Sequence, residues 1–179
     1  MAEVREPLRP LIARLRREVG DEGTDPMWTE SELAEALEEY SCVVRYLPLR
    51  PHQTRLPNGT VQDLDFESGT QWWETDAIVV NGSWTTVTPT SFDHVRGRVS
   101  FASHQVSALY ISGKHYDLYR AAENVIDQSI AKLKRRAIDM SDTNGSLKRN
   151  QQIQTLLELK RGVQAKQTPG TGHMVRSDV

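Results

Sequence analysis

The sequence predicts an α+β protein: helices at both ends of the chain, a long C-terminal helical hairpin, and a small antiparallel β-region inserted between them. Three observations carry this reading. Apolar residues recur at helical spacing near the N-terminus and again beyond Tyr116. Between residues 43 and 112 that period gives way to short β-branched and aromatic runs separated by Gly, Pro and Asn. After Gly162 the periodicity fades, and the last residues cannot bury enough apolar surface to order by themselves. Residues 1–42 and 113–165 are therefore read as one helical domain, 43–112 as an inserted β-subdomain, and 166–179 as a flexible C-terminal tail.

Each element has a local reason. Leu8, Leu11, Ile12, Leu15 and Val19 form one helical stripe, and Gly20 stops it. A second helix starts at Thr29, an N-cap with Glu32 three residues on as its capping-box partner and Trp28 and Leu33 at the staple positions. Val43–Leu47 reads as a strand ending at Pro48. Residues 77–80 and 84–88 flank Asn81-Gly82 as a hairpin. Val99-Ser100-Phe101 and Leu109-Tyr110-Ile111 make further strands, the latter turning at Ser112-Gly113. The long helix opens at Tyr116 and carries Leu118, Ala121, Ala122, Val125, Ile126, Ser129 and Leu133 on one side. A polar turn over 139–146 leads into a last helix that buries Ile153, Leu156, Leu157 and Val163, with Ser146 as its N-cap.

Totals bound the function. Apolar residues make up 37% of 179 and mean hydropathy is −0.56, a thin core with much polar surface. The single cysteine, Cys42, rules out an internal disulfide and is read as a buried thiol. No apolar run approaches the ~20 residues of a membrane span, and the start lacks the pattern of a secretory signal. Residues 1–119 hold 11 Lys and Arg against 18 Asp and Glu, whereas 120–179 hold 11 against 6. That split favours a basic face meeting an acidic partner or nucleic acid.

No chemistry-bearing constellation emerges. The five histidines lack metal-ligand spacing, there is no nucleophile elbow and no phosphate loop. The Asn-Gly sites at Asn58, Asn81 and Asn144 are turn chemistry. No catalytic residue, metal ligand or cofactor is assigned, and the chain is not read as an enzyme. Adjacent Trp72 and Trp73 point to opposite faces of a strand, so one ring enters the core and the other covers something else, such as a neighbouring subunit.

Several short motifs resemble the head–tail connector (adaptor) proteins of tailed bacteriophages. They are the run from Ile111-Ser112-Gly113 through Tyr116-Asp117-Leu118 to Ala121-Ala122, Asp139-Met140-Ser141 with Asn144-Gly145-Ser146, and Lys148-Arg149-Asn150-Gln151. Trp28-Thr29-Glu30-Ser31-Glu32-Leu33 is similar to the first capped helix of that family, and Gly97-Arg98-Val99-Ser100-Phe101 to the strand closing its β-insertion. The resemblance implies a helical connector fold and a structural virion protein of the neck, made in the host cytoplasm. It implies a ring of identical subunits, commonly twelve, docked under the portal protein. Such a ring extends the DNA ejection channel and carries the tail or a head-completion stopper, with dsDNA passing unbound and no membrane involved.

On that reading the portal-docking tail uses Lys166, Thr168, Pro169, His173, Met174, Val175 and Arg176, and the subunit interface uses Trp72, Trp73, Leu118, Ala121, Ala122, Arg135 and Arg149. The acidic residues Asp63, Asp65, Glu67 and Glu74 would flank the channel. The alternative is a nucleic-acid-binding protein using its basic C-terminal helices; a small enzyme with a site in the β-region is the remaining rival.

Overall fold

A computed structural model describes residues 4–24, 26–55, 59–139 and 143–167, without the side chains of 136–149. A short 3-10 turn at Glu6–Leu8 leads into α1 (Arg9–Glu18) and α2 (Glu30–Glu39). The strands come next: β1 (Ser41–Pro48), β2 (Arg50–Arg55), β3 (Val61–Glu67), β4 (Ile78–Asn81), β5 (Ser91–Asp93), β6 (Arg98–Ser100) and β7 (Leu109–Tyr116). Two long helices, α3 (Leu118–Asp139) and α4 (Thr143–Lys166), complete the order.

The class is α+β, but the expected helical connector fold with a small β-insertion is corrected. Seven strands in two antiparallel sheets outnumber the four helices among the described residues. One sheet has the order β1-β7-β4 and the other β2-β3-β6-β5. The extended run from Ser41 to Arg55 serves both, crossing over at buried Leu49, whose N–H donates to the Leu109 carbonyl (2.8 Å). The reason for the correction is energetic. Phe66, Trp73, Val79, Val99, Phe101, Leu109 and Ile111 bury one another in a core of their own, so the strands are a full structural layer and not a small region inserted into a helical fold.

The helices build the second core. Leu11, Ile12 and Leu15 of α1, Leu33 and Leu37 of α2, and Leu118 to Ile130 of α3 pack together with Val163 of α4. Local rules explain the starts. Thr29 Oγ1 accepts from the Glu32 N–H (3.2 Å) and Glu32 Oε2 accepts from the Thr29 N–H (2.8 Å), the reciprocal capping box. The Thr29 N–H and the Thr29 hydroxyl, which also donates to Oε2 (3.0 Å), hold the Glu32 carboxyl below the usual carboxylate range.

Four local expectations are corrected. The long helix opens at Leu118, because Asp117 accepts from the Arg120 N–H (3.1 Å) as N-cap while Tyr116 is still strand. Ser112-Gly113 is no turn: β7 runs straight through it, and Gly113 is needed because a Cβ there would lie 2.8 Å from Ala77 Cβ. Thr143, Asn144 and Ser146 lie inside α4, so Ser146 is not its N-cap and Asn144 is not in a turn. Leu157 is exposed and Leu159 packs on the core instead. The Asn81 turn forms, with Asn81 Oδ1 accepting from the N–H groups of Ser83 and Thr85 (3.0 Å each), but residues 84–88 add no strand and meet β4 only through the Val80–Thr86 bridge and the Val87 N–H donating to the Val79 carbonyl (2.9 Å).

Candidate functional site

The two cores meet along the line where β7 hands over to α3, and the tryptophan pair is the wedge. Trp73 is fully buried among the strands, while Trp72 is buried among the helices, edge-on to Tyr119 (5.7 Å). Neither residue lies in a strand, contrary to expectation: Trp73 makes only an isolated bridge to His115, so strand alternation does not separate the rings, and the Trp72 ring covers this chain's own helical layer. The placement puts Trp72 in a left-handed backbone conformation, φ +61°. Its N–H donates to the Val95 carbonyl (3.2 Å) and its carbonyl accepts from the Tyr116 N–H (3.1 Å).

Beside the wedge lies a charged network that the sequence does not reveal. Glu74, 2% exposed, accepts from Arg5 Nη2 (2.8 Å) and Nη1 (3.2 Å) and from the Tyr116 hydroxyl. Arg5 also donates to Glu38 Oε1 (2.6 Å), and Lys114 donates to Glu38 Oε2. Burial, reinforced by the bond to Glu74, pushes the Tyr116 hydroxyl pKa up. Burial alone would raise the Glu38 carboxyl, but hydrogen bonds from Lys114 and Arg5 outweigh it and hold the carboxyl low. The hydrogen bond to Glu38 keeps Arg5 firmly protonated, more than offsetting its desolvation. His115, tilted against Trp73 (5.2 Å), has its pKa lowered by burial, partly offset by Asp117. The partners of Glu74 are 42 to 69 residues away in the chain, so no spacing motif signals them.

An open cleft of about 700 Å³ adjoins this junction, lined by Tyr40, Cys42, Trp72, Tyr119, Arg120 and Gln167 among others. Cys42 is exposed, not buried as expected, because β1 is an edge strand. Among the described residues no cluster of three or more His, Cys, Asp and Glu is arranged to hold a metal.

The residues expected at a subunit interface fall mostly inside the chain. Leu118, Ala121 and Ala122 are fully buried, because α3 turns its small-residue face onto its own helical neighbours. Trp72 and Trp73 are buried in this chain as well. Arg135 is exposed, and the Arg149 side chain lies outside the described residues. Lys166 is engaged as well: with Arg14 (2.8 Å) it compensates the buried carboxylate of Glu18 (2.6 Å). Thr168, Pro169, His173, Met174, Val175 and Arg176 lie outside the described residues. Of the acidic set, Glu74 is buried in the network above. Glu67 pairs with His52 (2.8 Å), and Asp65 accepts from the Ser100 hydroxyl (2.5 Å).

The basic helices are partly neutralised. Lys160 binds Asp127 (2.7 Å) and Glu123 (3.3 Å), and the Asp127 bond keeps its pKa up. Lys132 sits over the Trp28 ring (3.4 Å to the centroid) and near Glu32 (3.6 Å). No family model, curated protein or solved structure matches this chain.

Proposed function

We propose that the protein is a ring-forming head-to-tail adaptor of a tailed bacteriophage, docking under the portal, extending the DNA channel and offering a platform for the tail or its stopper. One observation supports this most directly. The two stretches that carry the resemblance, 28–33 and 111–122, lie far apart in sequence yet belong to one packing unit. Trp28 and Leu33 share a core with Leu118, Ala121 and Ala122, and Trp28 Nε1–H donates to Ser129 Oγ (2.9 Å). Motifs that pack together are what a shared architecture of that layer requires.

The chain beyond Gln167 then docks on the portal. It leaves from a fixed point, since Gln167 Nε2 donates to Glu123 (3.0 Å) and Lys166 is pinned to Glu18. Ring multiplicity would raise the avidity of a segment that is weak in any single contact.

Sedimentation of the purified protein with and without the portal protein of the same virus tests the proposal. A portal-bound ring, lost when the chain is cut after Gln167, is expected. A protein that stays a single 20.3 kDa chain and never binds portal overturns it.

A further inference from the structure

Three aromatic rings stand together on the outer side of the β1-β7-β4 sheet. Trp84 stacks on Tyr110 (5.4 Å) and meets Tyr46 edge-on (4.8 Å). Ile111 of β7 points into the strand core, so Tyr110 and Ser112 point away from it. Tyr46 and Trp84 are 52% and 61% exposed, and neighbouring Ile78 is 50% exposed.

The backbone is bent to present these rings. Tyr46 (φ +57°) and Trp84 (φ +60°) are both left-handed, a conformation bulky residues rarely adopt. A bulge between Val44 and Leu47 holds Tyr46, whose N–H donates to Ser112 Oγ (2.9 Å). The Asn81 turn holds Trp84, whose N–H donates to the Asn81 carbonyl (2.9 Å). Two bulky residues are thus held in that conformation with their rings left in solvent.

The same chain carries a second surface of complementary character. A groove of about 480 Å³ runs between α1 and the β5 region, lined by Pro7, Pro10, Leu11, Trp72, Phe92 and Val95. Arg14 borders it, its guanidinium 5.9 Å from the centroid of the Trp72 ring and its buried Nε–H without an acceptor. No residue belongs to both surfaces. Arg45, next to Tyr46, and Asp93, on the groove, each make no ion pair among the described residues and carry opposite charge.

We infer that the Tyr46–Trp84–Tyr110 stack of one copy seats in the Pro10–Phe92 groove of the next, forming the head-to-tail joint of the ring; this rests on the adaptor reading above. The occupant is a second copy because both halves are written on one chain. Rings enter an apolar slot, a guanidinium already facing one ring gains another, and Arg45 finds Asp93. A knob and a groove that share no residue make a heterologous contact, the kind that builds a ring when its rotation closes.

Cross-linking the full-length protein, in the portal-bound assembly, tests this. With Cys42→Ser as background, Trp84→Cys and Val95→Cys on the same chain should give a ladder of covalent multimers under mild oxidation. Either substitution alone should stay uncross-linked, and a mixture of the two single variants should stop at dimers. If Trp84→Cys disturbs the turn, Ile78→Cys takes its place. Rings that sediment normally yet give no ladder overturn the joint and leave the adaptor reading standing. Dimers from Trp84→Cys alone would mean that stack meets stack, which also overturns it. A wild-type chain that never assembles, with or without portal, removes both.

Discussion

Replacing Tyr116 with Phe deletes one hydroxyl from the junction of the two cores and leaves the ring, 2% exposed, packed as before. The loss falls on Glu74, a buried carboxylate that keeps Arg5 (2.8 and 3.2 Å) but no longer receives the tyrosine proton. A hydrogen bond to a charged, buried group is worth roughly 1.5–3 kcal/mol, so Tyr116→Phe should destabilise the fold by about 2 kcal/mol. For a chain of this size that is a fall in Tm of about 4–8 °C, read by calorimetry or urea unfolding at pH 7. The pH dependence gives a second, independent check. Because the Tyr116 pKa is raised in the folded state above its usual value of about 10, its stabilisation is complete below that pH. As pH rises further, the unfolded chain sheds the proton first, and this contribution declines. The gap between wild type and Tyr116→Phe should therefore shrink above about pH 10. Equal stability at pH 7, or a gap that does not narrow in alkali, would refute the argument that Tyr116 fastens Glu74.

Two other substitutions probe the same kind of packing. Ser129→Ala leaves the buried Trp28 Nε1–H without its acceptor and should cost about 1–3 kcal/mol, visible as a lower urea midpoint with an unchanged slope. Gly97→Ala should be more damaging: at φ +66° its Cβ would collide with the Thr70 carbonyl and Ser68 Oγ, beside the Trp73 indole. Clash and backbone strain together should exceed about 3 kcal/mol, reported by loss of the cooperative near-UV transition or by insoluble expression.

The helical half of the fold is legible in the sequence because its signals are local. Leu8 to Val19 form a stripe, Thr29 and Glu32 close a capping box, and Asn81 makes its own turn, all within a few residues of chain. The α3 face from Leu118 to Leu133 is equally legible as apolar, but its occupant is not. Small residues invite a close neighbour without saying whose it is, and the neighbours are helices of the same molecule. The extent of the β-half escapes the sequence for a related reason. Strands are buried by partners far away along the chain, and β1 with β7, or Trp73 with Val99, leave no periodic trace of the pairing.

What this amino-acid sequence determined alone is the α+β class, the positions of most helices and the turn at Asn81. Such features depend on propensities, caps and periods that act over one or two turns of chain. Only the tertiary structure decided that the two indoles bind two layers of a single molecule, that Glu74 is a buried anchor for Arg5 and Tyr116, and that Tyr46, Trp84 and Tyr110 converge in solvent. These arrangements join residues tens of positions apart, whose encounter is set by how two cores pack and which polar groups must be satisfied between them.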